Sequence, residues 1–303
     1  DGIRDKLVTG VQTCALPISA VAKPEDGVTV AVVNSPGGLG VGPSRLAFGL
    51  FRADGGLVQD AQGKVKLFRI ANDRATAAGE YDLRAVSLAE NTVHVHPDGT
   101  NHLHNDPLVT MYVANVNFEQ ATEWGAQLDV TAGGKHYQRL RARFIVQPRT
   151  SFPGPGMAAP HTKQPVLRDV KDITEIDSSQ PPRPELHQLT VAEAIDSGKP
   201  TLVAFATPAF CQTRFCGPVV DQVVAPLAKD YAGKANFVHI EPYRLDEARK
   251  GRLVPIPQLD EWGLDSEPFI FVLDGKGRVS ATFEGVTQRD EVQQALDQAL
   301  AAR

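Results

Sequence analysis

The sequence predicts two modules of different class: an all-β sandwich over residues 26–147 and an α/β module with a mixed central sheet over 187–303. Three observations carry this. The first half is filled by short alternating apolar runs separated by Gly, Asn and Asp turn signals, the pattern of half-buried strands. Eight prolines then fall between Pro148 and Pro184, so residues 148–186 are expected to be a linker, extended because proline cannot feed a hydrogen-bond ladder. From Leu189 onward the pattern changes to alternating helix and strand.

The bulk numbers fit this division. A chain of 303 residues has the length of two domains, and 42% hydrophobic with 22% charged residues is an ordinary globular composition. The net charge is -5 and no basic stripe stands out, so nucleic acid is not an expected partner. No apolar run approaches the roughly 20 residues that span a bilayer. Residues 8–18, Val-Thr-Gly-Val-Gln-Thr-Cys-Ala-Leu-Pro-Ile, resemble the translation of a short-read sequencing adapter. Residues 1–18 are therefore expected to be a fusion artefact and are left out of fold reasoning. Cys14 then leaves the count, and Cys211 and Cys216 remain. A native N-terminus, with any export signal or membrane tether, is expected to have been lost with the fusion.

Strands are expected over 28–33, 45–52, 64–70, 79–86, 108–118, 124–131 and 136–146, with 108–118 the most apolar and the last two forming a hairpin through Ala132-Gly133-Gly134. Seven short strands with turns between them resemble an immunoglobulin-like sandwich, without the cysteine pair of antibody domains. Within the linker, 166–176 is apolar enough to dock on a neighbour. In the last third, Thr190-Val-Ala-Glu193 fits a capping box and opens a short helix ending near Gly198. Strands follow at 201–206 and 236–241, with a helix over 218–231 between them. A hairpin (269–273, 278–283) around Asp274-Gly-Lys-Gly277 leads to a closing helix over 289–302, whose Val292, Ala295, Leu296 and Leu300 recur at helical spacing.

This order, with a cysteine segment after its first strand, resembles the thioredoxin superfamily over about the last 115 residues. Residues 201–211, Thr-Leu-Val-Ala-Phe-Ala-Thr-Pro-Ala-Phe-Cys, look like the strand and loop that deliver the reactive cysteine. Phe215-Cys216-Gly217-Pro218 looks like the first half of the Trp-Cys-Gly-Pro-Cys motif. Ser266-Glu267-Pro268-Phe269 looks like the cis-proline loop, which implies that Pro268 is cis and faces the active site, with Glu267 beside it. Two departures stand out. Four residues, not two, separate the cysteines in Cys211-Gln-Thr-Arg-Phe-Cys216, and Val219 stands where the second cysteine would follow Gly217-Pro218. The buried acid of the first strand is also missing, with Ala204 the nearest match.

Attack on a disulfide needs a thiolate, and free cysteine ionises near pH 8.5, lower at a helix N-terminus. Gly217-Pro218 suits a helix start, which makes Cys216 the expected attacking thiol and Cys211 its partner in the preceding loop. Counting from the strand reverses the roles, and that alternative stays open. In a continuous helix residues five apart lie roughly 8 Å apart, beyond the about 7 Å a disulfide tolerates, so 212–215 must depart from helical form. A structural staple closing so small a ring would gain only about 2 kcal/mol, which favours a redox or metal role. Thr207, Pro208 and Arg214 border the pair, and Arg214 is placed to stabilise a thiolate.

Four of the eight histidines, His94, His96, His102 and His104, bracket Pro97-Asp-Gly-Thr-Asn101. An H-x-H pair on a strand puts both rings on one face, so two such pairs across a turn suit copper or zinc, with Asp98 and Asp106 as further oxygen donors. His239 reads as a core histidine, its neighbour Glu241 approaches the cysteine site, and His136, His161 and His187 read as surface or linker residues. Trp124 and Trp262 read as packing residues.

The expected function is that of an extracytoplasmic bacterial thiol–disulfide oxidoreductase acting on protein thiols or disulfides, with no cofactor required. An adhesive-type sandwich, a proline-rich tether and a lone cysteine pair suit an exported protein. One alternative is a metal-handling protein similar to Sco-type copper assembly factors, which also place a loop cysteine pair on a thioredoxin fold. The other is a non-catalytic binding module that keeps the fold alone.

Overall fold

The computed structural model describes residues 26–72, 74–89, 92–95, 101–104, 107–211 and 215–302. Its larger sheet is antiparallel throughout and contains β1 (Val28–Val32), β2 (Gly42–Arg52), β3 (Gln62–Ala71), β4 (Arg74–Ala89), β7 (Pro107–Phe118), β8 (Glu123–Ala132) and β9 (Lys135–Ile145). Their spatial order is β1-β2-β7-β4-β3-β8-β9. Strands β5 (Thr92–Val95) and β6 (Asn101–His104) form a separate hairpin.

The expected pair of separate sheets is thereby corrected to one sheet curled nearly into a barrel, and β4 is the physical reason. It is 16 residues long, and it pairs through Arg74–Leu83 with β3 and through Arg84–Ala89 with β7. One strand thus serves both halves, so one side of the would-be sandwich is closed by hydrogen bonds. Near the other side a parallel bridge joins Gly40 to Gln147. Leu46, Phe48, Leu67, Phe118, Trp124 and Leu128 fill the interior, with Trp124 edge-on to Phe118 at 4.9 Å.

The second sheet has the order β11-β10-β12-β13, from β10 (Thr201–Phe205), β11 (Asn236–Ile240), β12 (Phe269–Leu273) and β13 (Val279–Glu284). β10 runs parallel to β11 and antiparallel to β12, and β12 is antiparallel to β13. Helices α1 (Val191–Asp196), α4 (Leu245–Ala248), α5 (Pro257–Trp262) and α6 (Arg289–Ala301) connect or flank these strands. The helix after β10 begins as α2 (Cys216–Val219), widens into a π turn (Val220–Val224) and continues as α3 (Ala225–Asp230). Pro226 accounts for the widening: it has no N–H for the carbonyl of Gln222, and the N–H of Ala225 reaches back to Val220 instead. Both faces of β10 are buried, Leu202 and Ala204 toward the π-bulged helix and α6, Val203 and Phe205 toward α1 and α5. At α1 the expected capping box is present: Thr190 Oγ1 accepts the N–H of Glu193, and Glu193 Oε2 accepts that of Thr190.

Residues 148–186 contain no α-helix or strand, only three single 3₁₀ turns, yet they lie against the second sheet. Phe152 packs edge-on against Phe269 and Phe271, and Val166 and Leu186 are fully buried. The segment passes so close to the end of α5 that a Cβ on Gly263, already left-handed at φ 66°, would lie 2.0 Å from the Ser151 carbonyl.

The two sheets share a seam. Met111 and Val113 of β7 and Val86 and Leu88 of β4 meet Val219, Val220 and Val223 of the π-bulged helix. This explains why β7 is apolar without alternation: Tyr112, Ala114 and Val116 fill the barrel while Val109, Met111 and Val113 fill the seam. Arg45 of β2 makes two 3.1 Å hydrogen bonds to the Glu291 carboxylate and one of 2.8 Å to the Val286 carbonyl. Both charged side chains are about nine-tenths buried, 10% and 8% exposed. The side-chain amide of Gln222, in the π turn, exchanges two hydrogen bonds with the backbone of Ala89.

Glu284 faces this seam and accepts the N–H of Ser35 at 2.7 Å. Burial pushes its carboxyl above the ordinary value of 4.5, against the pull of those hydrogen bonds. An acid whose folded pKa is raised is protonated in both states below its unfolded pKa, and its favourable contribution is lost as pH rises through the folded value. Glu284→Gln is therefore expected to melt with the wild type near pH 4 and above it at pH 7. A melting-temperature difference independent of pH would contradict the assignment.

Candidate functional site

The loop that follows β10 carries Cys211, and the N–H of Ala206 extends the parallel ladder to Ile240 before the chain turns away. Ser178, from the proline-rich segment, holds this loop by accepting the N–H of Ala209 on its Oγ at 3.0 Å. Cys211 is half-buried. Cys216 is the first residue of α2 and is fully buried. The backbone N–H of Cys216 donates to Cys211 Sγ at 3.2 Å. Helix-start polarity therefore acts on the sulfur of the other cysteine.

This bears on the expected roles. Cys216 does open a helix, as its Gly-Pro sequel implied, but it has no exposure through which to attack. Burial drives its thiol well above the usual cysteine range, followed by its hydrogen bond to Cys211, while a backbone hydrogen bond from Thr207 opposes the shift. The peptide bond between Glu267 and Pro268 is cis. The sulfurs of both cysteines and a carboxylate oxygen of Glu267 all lie within 4.8 Å of one another. Glu267 is 8% exposed and accepts a 2.8 Å hydrogen bond from the Tyr243 hydroxyl. An acid thus stands beside the pair although β10 carries Ala204 where thioredoxins have one, and it comes from the proline loop. Thr207 is buried, Pro208, Gly217 and Pro218 are half-buried around the pair, and Arg214 lies outside the described residues.

Of the histidine cluster, His96 lies outside the described residues. The backbone register of the β5–β6 hairpin sets His94 opposite His102 and Thr92 opposite His104. His136 and His161 are exposed, with side-chain exposures of 51% and 60%. His187 corrects the expectation of a surface residue: it is 1% exposed. It meets His239, also 1% exposed, at 3.3 Å from Nε2 to Nδ1, with Asp177 beside both. The composition of its segment hid it, because a proline-rich stretch reads as solvent-exposed whatever single side chains it buries. Asp177 was missed for the same reason. The one local signal was Asp177-Ser178-Ser179, a turn-forming sequence in which Asp177 Oδ1 accepts the N–H of Ser179. Glu241, at the end of β11, is buried and accepts the N–H of Ser178 at 2.7 Å, and burial raises its carboxyl.

No family model matches the chain, and no curated protein does. Among solved structures, a thioredoxin-family thiol:disulfide interchange protein from Chlorobium tepidum TLS is 20% identical over 37% of this chain and 86% of its own, with a TM-score of 0.27. The human F-spondin reeler domain is 11% identical over 40% of this chain and 89% of its own, with a TM-score of 0.22. Both likenesses are weak. Among the described residues no helix is long and apolar enough to cross a membrane.

Proposed function

We propose that this chain is a thiol–disulfide oxidoreductase of the thioredoxin class, acting on protein thiols or disulfides, with Cys211 as the attacking residue and Cys216 as the resolving one. The observation that carries the reading is the 3.2 Å hydrogen bond from the Cys216 N–H to Cys211 Sγ. A donor fixed at a helix start favours the thiolate over the thiol at the sulfur that receives it. Half-burial of Cys211 and full burial of Cys216 divide the roles in the same sense.

In the reductive direction the Cys211 thiolate attacks one sulfur of the substrate disulfide. A mixed disulfide forms and the other substrate sulfur leaves as a thiolate. Cys216 then gives up its proton and attacks Cys211 Sγ, which releases the second substrate thiol and leaves a Cys211–Cys216 disulfide. Two electrons pass from the pair to the substrate, and oxidation of substrate thiols is the same sequence reversed. Glu267 is the carboxylate near enough to accept the Cys216 proton. In this reading the β module is a spacer, and the protein works outside the cytoplasm.

Brief alkylation of the reduced, folded protein at neutral pH is expected to label Cys211 first, with Cys216 labelled only after unfolding. Equal labelling of both, or of neither, would overturn the assignment.

A second reading, Cu(I) handling of the kind Sco-type proteins perform, is favoured by the convergence of the two sulfurs and Glu267 within 4.8 Å. Titration with Cu(I) under anaerobic conditions separates the two: stoichiometric tight binding lost in Cys211→Ser, with no insulin reduction by the wild type, would move the function to metal transfer.

A further inference from the structure

We propose that Asp177, His187 and His239 form a binding site for one first-row divalent cation of the zinc class. The three come from separate places, the middle of the proline-rich segment, its end, and strand β11, and each is at most 1% exposed. One donor atom from each lies within 4.8 Å of the others. The individual separations are 3.3 Å for His239 Nδ1 to His187 Nε2, 3.4 Å for His187 Nε2 to Asp177 Oδ2, and 3.8 Å for His239 Nδ1 to Asp177 Oδ1. In a tetrahedral shell with bonds of about 2.0–2.1 Å, neighbouring donor atoms stand roughly 3.3 Å apart. Two separations already match, and the third, measured to the other carboxylate oxygen, is about 0.5 Å longer.

The surroundings orient these atoms as ligands. Ring nitrogen Nε2 of His239 donates to the Ala206 carbonyl at 2.8 Å, which fixes the ring with Nδ1 facing the cluster. Asp177 Oδ1 accepts the N–H of Ser179 at 2.8 Å and Oδ2 that of Arg183 at 2.6 Å, so both oxygens are held in place. The set is two imidazoles and one carboxylate, borderline donors that suit Zn²⁺ and its neighbours. His187 and His239, with Glu241 and Tyr243, help wall a cavity of about 210 Å³ beside the cluster.

The test uses the full chain carrying Cys14→Ser, Cys211→Ser and Cys216→Ser together with alanines at His94, His96, His102 and His104, so that neither the thiols nor the hairpin histidines contribute. After chelator treatment, Co²⁺ is expected to bind one to one, with visible d–d bands and no thiolate charge transfer. Zn²⁺ is expected to displace it and to raise the melting temperature. Asp177→Asn and His239→Gln in the same background should each weaken binding at least tenfold. If this background is folded by circular dichroism and takes up no stoichiometric Co²⁺, or if binding persists unchanged in Asp177→Asn, the cluster is a self-contained hydrogen-bond network and the proposal fails. Binding seen only when the hairpin histidines are restored overturns it equally.

Discussion

Cys211→Ser is expected to abolish disulfide exchange, with insulin reduction falling at least a hundredfold to the uncatalysed background, while Cys216→Ser arrests the reaction after its first step. The asymmetry follows from burial and one hydrogen bond. A serine at 211 can accept the Cys216 N–H, so the loop keeps its conformation, but an alcohol does not ionise at neutral pH and cannot displace sulfur from a disulfide. The other thiol of the pair, Cys216, is fully buried and held well above the usual cysteine range, so it cannot take over. In Cys216→Ser the half-buried Cys211 still attacks, and Cys216 is no longer there to resolve the product. A covalent adduct with the substrate protein should accumulate, visible as a reductant-sensitive band on a non-reducing gel. If the adduct forms with Cys211→Ser and not with Cys216→Ser, the roles are the reverse of those proposed.

What the sequence alone could show about this site divides along physical lines. The elements were legible, because alternation in the first half and helical spacing after Leu189 are local signals of burial on one face or two. The helix start at Cys216 was legible for the same reason, since Gly217-Pro218 constrains only its own backbone. Which sulfur receives the helix-start N–H was not, because that depends on how the loop from Cys211 folds back on Cys216, and spacing does not specify the path. Long-range placement was the least visible. Nothing near Asp177 in sequence announces that it will meet His239 of a strand, and proline content concealed the burial of both Asp177 and His187. The barrel closure was hidden differently. A strand long enough to pair with two partners at once looks, residue by residue, like two ordinary strands, and only the first part of β4 and its continuation together reveal the corner.

Trp262→Ala carries the largest expected loss of stability. The indole is fully buried, with its centroid 4.7 Å from that of Phe271 and 5.3 Å from that of Phe205. Its Nε1 donates to Thr162 Oγ1 at 2.7 Å, and Thr162, itself 1% exposed, lies in the proline-rich segment. One side chain thus joins α5, the central strands β10 and β12, and the segment that also supplies Asp177 and Ser178. Truncation to alanine opens a cavity between well-packed aromatic rings and should cost about 3–5 kcal/mol in urea unfolding. Trp262→Phe separates the two contributions. It keeps most of the packing and loses the donor, so about 1–3 kcal/mol is expected from the lost hydrogen bond to Thr162, whose hydroxyl keeps its bond to Glu261, and from the smaller ring. Because Thr162 anchors the segment, Trp262→Phe should also speed proteolysis within 148–166 more than elsewhere in the chain. A Trp262→Ala variant that loses under about 1 kcal/mol would mean that this packing is not what fastens the segment to the sheet.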